Sequence, residues 1–274
     1  MTIAVAVRTG SAVVFAADSK VTTQGIVGFE ENGDPRWVEQ TYDNATKVVH
    51  DPSMSLMAMV AGYANIGQET AMDFIMSHNL RAVVDAEDQD DAVRKFVSTE
   101  MVAKKREYWQ TQKVEPKDWP GPTLVVAMAS SVTSRPRVWK IELQGEASNS
   151  REILTYPSVW LEGSYNEVFG LLYGYESRVL EGITKQLGIE SEKIFEALQN
   201  IKVLRPLDKL SLWSIPIQDA IDLAVFLAKV QVEMDRFLPG QPACGGPIDV
   251  MILRTVPDRV ILSFPGKTLR HPSL

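Results

Sequence analysis

Two short segments near the start, Ile3–Arg8 and Ala12–Asp18, are apolar at almost every position and are separated by the turn pair Thr9-Gly10. They read as a β-hairpin. A strand with one face in water alternates apolar and polar residues, and these do not. A hairpin that is apolar on more than one face needs cover on each, which points to two packed sheets with helices outside them.

The rest of the chain fits that demand. Gly25–Asn44 reads as an excursion, with Glu31-Asn32-Gly33-Asp34-Pro35 as a turn inside it. Strands are expected at Lys47–His50 and Leu56–Ala61, around Asp51-Pro52-Ser53, and helices over Ala64–Val84 and Asp90–Gln112. Glu87, Asp88, Asp90 and Asp91 suit the N-terminus of the second helix through its macrodipole. Strands resume at Thr123–Ala129, Val138–Leu143 and Glu152–Tyr156. Asn166–Leu187 reads as helical and Glu192–Leu198 as a short helix. Ile217, Ile221, Ala224, Val225, Ala228 and Val232 mark the apolar face of a long helix. Pro247–Arg254 and Arg259–Phe264 close the chain as a hairpin around Pro257-Asp258. No repeat or linker divides the chain, so one domain over residues 1–274 is expected, with an extended loop or hairpin at about 25–44.

The 274 residues are 45% hydrophobic, with 28 basic against 35 acidic side chains. That is ample material for a core. A net charge of −7 argues against nucleic acid or an anionic membrane surface as partner. The cluster Lys104-Lys105-Arg106 reads as a solvated helix face. The single cysteine, Cys244, leaves no internal disulfide and fits a reducing compartment. His50, His78 and His271 lack metal-ligand spacing, so no metal and no cofactor is expected. With neither a signal peptide nor a run of membrane-spanning length, a cytoplasmic protein is expected.

Thr2 directly follows the initiator methionine. If Met1 is removed, Thr2 carries a free α-amine beside its own hydroxyl. Such an amine titrates at roughly 7.7–8.0, so a useful fraction is neutral at physiological pH. A neutral amine can accept the hydroxyl proton, which puts nucleophile and base on one residue.

Four stretches, in order along most of the chain, then carry a resemblance: TIAVAVR with VVFAADSKVT, TKVVHDPSMSLMAMVAGYANIG, WLEGSYNEVFG and CGGPIDVMIL. The chain resembles the proteasome β-type subunits of the N-terminal nucleophile hydrolase superfamily. The length of the 25–44 excursion points to a bacterial proteasome-like side branch. The resemblance implies an α+β fold, a four-layer αββα sandwich of two antiparallel sheets.

It also implies a site. The family's nucleophile falls on Thr2, its buried aspartate on Asp18 and its lysine on Lys47. A lysine cation beside the α-amine would disfavour protonation of that amine. Asp18 would offset and hold the buried ammonium. Gly62 matches the glycine whose N–H serves the oxyanion hole, and Ser164 matches a serine near the nucleophile's amine, with helix N-cap as its ordinary reading. Val21, Val49, Val60 and Ala64 would line an apolar substrate pocket, and Thr22 with Gly62 would pair with the substrate backbone.

One stretch departs from the pattern. Where the family has an aspartate, then a serine, then two glycines, this chain has Gln241, Cys244, Gly245 and Gly246. Asp235, further upstream, is the candidate to replace the aspartate. A thiol is a weaker donor and acceptor than a hydroxyl. The expected function is a threonine-type hydrolase of peptide or amide bonds within a self-assembled ring or stacked oligomer, acting on peptide or protein substrates with or without an unfoldase partner. The alternatives are a non-catalytic assembly subunit and a small-molecule amidase on the same fold.

Overall fold

The computed structural model describes residues 2–29, 35–51, 53, 55–113, 115–129, 135–175, 177–190, 193–194, 197, 206–254 and 261–264. The opening hairpin forms as read. β1 (Ile3–Arg8) and β2 (Ala12–Asp18) pair antiparallel from Ala4 opposite Ala17 to Arg8 opposite Val13, and every residue of both is buried. The excursion is a hairpin of its own, β3 (Val21–Phe29) against β4 (Pro35–Tyr42). The turn read within it lies, except for Pro35, outside the described residues. β5 (Val48–Asp51) and β6 (Leu56–Gly62) follow.

Ala64–Val84 is not one helix. Asn65–Ile66 (β7) and Glu69–Thr70 (β8) first make a small hairpin, with Gly67 at φ 68° in the turn. The helix starts only at Ala71, where Thr70 Oγ1 accepts the Asp73 N–H at 3.0 Å and fixes the N-terminus. α1 (Ala71–Ser77) and α2 (Arg81–Val84) are separate. The next helix is also interrupted: α3 (Gln89–Phe96) runs through a π-helical turn, Val97–Met101, into α4 (Val102–Thr111). Asp88 caps α3, accepting from the Asp91 N–H at 3.0 Å.

β9 (Pro122–Met128) and β10 (Arg137–Gln144) match expectation. The strand read at Glu152–Tyr156 lies earlier, as β11 (Ala147–Ile153), because Gly145 at φ 56° turns the chain straight back on β10. β12 (Val159–Gly163) is a strand that the residue pattern does not announce. The helical stretch after it divides at Gly174, φ 83°, into α5 (Asn166–Tyr173) and α6 (Ser177–Leu187). The short helix read at Glu192–Leu198 lies mostly outside the described residues. α7 (Ile217–Asp235), β13 (Ile248–Arg254) and β14 (Ile261–Phe264) complete the order; the turn at Pro257-Asp258 is outside the described residues.

The fold is α+β with two five-stranded sheets, ordered β12-β1-β2-β13-β14 and β11-β10-β9-β6-β5, whose strands pair antiparallel. Three apolar clusters hold it. Ala4, Ala6, Val13 and Phe15 of the first sheet pack with Met57, Met59, Val125 and Ala127 of the second. Burial of one such Phe or Met contributes about 1.5–3 kcal/mol. The opposite face of the first sheet, with Val5 and Val14, meets Leu172 of α5 and Leu227 of α7. Leu124 and Val126 of the second sheet meet Phe74 of α1, Val93 of α3 and Met101.

Two sequence readings are corrected here. The buried face of α7 is Ala220, Ala224, Leu227, Ala228, Gln231 and Asp235, so Ile217, Ile221, Val225 and Val232 sit at its margin. Two polar residues point inward because they have partners there. Lys105 is not solvated: it is buried, and its ammonium donates to Leu143 O at 3.0 Å. Among the described residues, no helix is long and apolar enough to cross a membrane.

Candidate active site

Thr2 enters β1 buried, only 4% exposed. Its carbonyl accepts the Ser164 N–H at 2.7 Å, just beyond the end of β12. The approach demands glycine at the preceding position. Gly163 sits at φ 84°, and a Cβ there would fall 2.0 Å from Thr2 O. Met1 lies outside the described residues.

Asp18, at the end of β2, has no exposed surface, and its carboxylate collects four donors. Oδ1 accepts the Ile3 N–H at 3.1 Å and Lys47 Nζ at 2.8 Å. Oδ2 accepts the Gly245 N–H at 2.9 Å and the Lys20 N–H at 3.3 Å. Lys47 immediately precedes β5, where its carbonyl accepts the Val60 N–H at 2.9 Å, and its side chain is 6% exposed. A buried charge is tolerated only when paired and hydrogen-bonded, and this pair meets both conditions.

One cleft of about 510 Å³ is lined by Thr2, Lys47 and Gly62 together. All five residues named as substrate contacts, Val21, Thr22, Val49, Val60 and Ala64, line the same cleft. Gly62 ends β6 at φ 74°, and a Cβ there would touch nothing within 4 Å, so its backbone faces open space. The sequence reading missed Lys20, Ala45, Thr46, Asn65, Thr70, Met72 and Asp73, which also line it. The Thr-x-x-Asp spacing of Thr70 and Asp73 is a helix-start signal that could have brought that corner into view.

In the departing stretch Asp235 is buried and bonded to the main chain at Cys244. Its Oδ2 accepts the Cys244 N–H at 2.8 Å and its Oδ1 accepts from Gln231 at 2.9 Å. Gln241 is exposed and does not join the cluster, because the chain bends inward only at Cys244. Burial, with Asp18 and Asp235 nearby, pushes the Cys244 thiol far up, so it stays protonated and is no nucleophile. Ser164 is not the cap of α5; Tyr165 takes that position. Among the described residues no cluster of His, Cys, Asp and Glu could hold a metal ion. His78 Nδ1 lies 2.6 Å from Phe74 O, and His271 is outside the described residues.

No family model matches the chain, and no curated protein does. A solved structure does: the Gly-1 mutant of Anbu from Hyphomicrobium sp. strain MC1, at 16% identity and a TM-score of 0.52, over 97% of this chain and 87% of that one. At that identity the likeness is one of fold alone.

Proposed function

We propose that the protein is a threonine-type N-terminal nucleophile hydrolase of peptide or amide bonds, a single domain over 1–274 layered as an αββα sandwich. The observation that carries this reading is Lys47 on the wall of the cleft that Thr2 and Gly62 share, paired behind that wall with the buried Asp18. With Met1 removed, the Thr2 α-amine takes the hydroxyl proton while Oγ1 attacks the substrate carbonyl. The positive Lys47 disfavours protonation of that amine, and Asp18 keeps Lys47 in place. The Gly62 N–H meets the oxyanion, a donor worth about 2.7–4 kcal/mol when preorganised. The proton then passes to the leaving amine, the acyl group stays on Thr2 Oγ1, and water releases it.

The substrate lies as an added strand between Thr22 and Gly62. Its side chain enters the apolar walls of Val21, Val49, Val60 and Ala64, which favours uncharged apolar groups. Ser164, Asp235, Cys244 and Gly245 position the machinery. The alternative of a non-catalytic assembly subunit drew on Gln241 and Cys244; the Asp235 carboxylate that accepts the Cys244 N–H supports turnover instead.

Self-association into a ring or stack belongs to the same reading. Phe226, Met234, Phe237 and Leu238, on or just beyond α7, stay exposed, Phe237 by 79%. A cytoplasmic setting agrees with the single buried thiol.

The test is intact-mass analysis of the purified chain with and without a threonine-directed electrophile. The expected result is loss of Met1 and one adduct on Thr2. Full retention of Met1, or an adduct elsewhere, overturns the reading.

A further inference from the structure

Two arms converge on the nucleophile from different parts of the chain. One is the β12–α5 junction, where the Ser164 N–H holds Thr2 O. The other is the Cys244–Gly245 segment, where the Gly245 N–H holds Asp18. The sheet order β12-β1-β2-β13 brings both arms to one end of the sheet, and Gln231 adds a direct polar link between them. Its Nε2 donates to Glu167 Oε2 at 2.5 Å, three residues past Ser164 on α5. The same Nε2 donates to Asp235 Oδ1 at 2.9 Å, and Asp235 Oδ2 receives the Cys244 N–H.

Chemistry sets the orientation of this amide. Both neighbours are carboxylates that accept only, so the NH₂ end must face them. Gln231 and Asp235 are four residues apart on one face of α7, which lets one side chain brace the other. The orientation has a cost: Gln231 Oε1 is buried with no donor among the described residues. An amide 1% exposed and half satisfied is a destabilising choice for packing alone. A function in holding the two carboxylates at a fixed separation accounts for it.

We propose that Gln231 is a positioning residue that sets the spacing between the Ser164 arm and the Cys244 arm, and through them the placement of Thr2 and Asp18. Hydrogen bonds and the short stretches of chain between them then close a ring, from Thr2 to Ser164, along the chain to Glu167, across Gln231 and Asp235 to Cys244, on to Gly245, and through Asp18 back to Ile3. Its catalytic meaning rests on the hydrolase reading above; its test does not depend on it.

The test compares Gln231→Met, which keeps shape and loses both donors, with Leu227→Ala, a core truncation one turn earlier on α7. Cys244 is the one cysteine of the sequence, so a small aromatic disulfide reagent reads the mobility of its arm directly. At equal loss of Tm, Gln231→Met is expected to label Cys244 about tenfold faster than Leu227→Ala, a local opening without global unfolding. Formation of the Thr2 adduct is expected to slow about tenfold in Gln231→Met alone. Labelling that merely follows Tm in both variants overturns the proposal. A wild type that forms no Thr2 adduct overturns the hydrolase reading, while the labelling comparison still decides on Gln231.

Discussion

Lys47 Nζ lies 2.8 Å from Asp18 Oδ1, with the two side chains 6% and 0% exposed. Asp18 also accepts three main-chain N–H groups, so more of the fold converges on it than the ion pair alone. The two partners are therefore unequal. Asp18 ties β1, β2 and the Cys244–Gly245 segment together, and Lys47 supplies the charge.

That inequality predicts unequal losses. Breaking a buried pair by deleting one partner costs about 3–5 kcal/mol. Asp18→Ala should reach or exceed that range in urea unfolding, because it removes the acceptor of the Lys47 ammonium and of three main-chain N–H groups at once. Lys47→Ala should lose less, since those donors still satisfy the carboxylate. It should fold and fail to form the Thr2 adduct. Equal losses in the two variants would contradict the account, and so would adduct formation by Lys47→Ala within tenfold of wild type, about 1.4 kcal/mol.

Two glycines with nearly the same backbone conformation should respond differently to alanine. Gly62 and Gly163 sit at φ 74° and 84°, so each substitution carries left-handed strain of about 1–2 kcal/mol. At Gly62 the new methyl meets nothing, and the loss should stop there. At Gly163 it would fall 2.0 Å from Thr2 O, so the chain must move apart and the Ser164–Thr2 bond must break. Gly163→Ala should be the less stable by thermal unfolding. Gly62→Ala should keep its Tm closer to wild type while narrowing the cleft.

Lys105 gives a pH prediction. Burial lowers its ammonium from an ordinary 10.5 to about 8. The unfolded chain therefore binds more protons than the folded one between about pH 8 and 10.5, and stability from this group rises with pH across that window. Below pH 8 the desolvation penalty is fully present. Lys105→Met should thus gain in Tm relative to wild type at pH 7, and the gain should shrink as pH climbs from 8 to 10. A difference that does not change with pH would mean the ammonium is not the cause.

Residues whose role is set by local pattern were legible. The apolar hairpin at 3–18 could be read directly, and Lys47 and the five cleft residues followed from the resemblance. Residues whose role is set by a distant contact were not. β11 is polar because it is an edge strand with water on one side, so its Ala-Ser-Asn-Ser stretch carries no apolar signal. Gly163 looks like any glycine until Thr2 O arrives beside it. Gln231 and Lys105 defeat hydrophobic periodicity for one reason: each is a polar side chain turned inward to meet a partner far along the chain. The breaks at Gly67 and Gly174 were visible residues, but a helical pattern on either side outweighed them.

Thr2 carries the decisive test. Its main chain is held independently of its side chain, through the Ser164 N–H on its carbonyl and the Ile3 N–H on Asp18. Substitutions at Thr2 should therefore leave the fold standing, and their effects can be read as chemistry. Thr2→Ser removes one buried methyl, about 0.8 kcal/mol, and keeps both hydroxyl and amine, so it should still form the adduct, more slowly. Thr2→Ala keeps the amine and loses the nucleophile; it should unfold near the wild-type temperature and form no adduct. If Thr2→Ala hydrolyses amides as fast as wild type, the reaction does not run through Thr2. The buried Lys47–Asp18 pair would then be a structural tie between β2 and the start of β5, with the chemistry elsewhere.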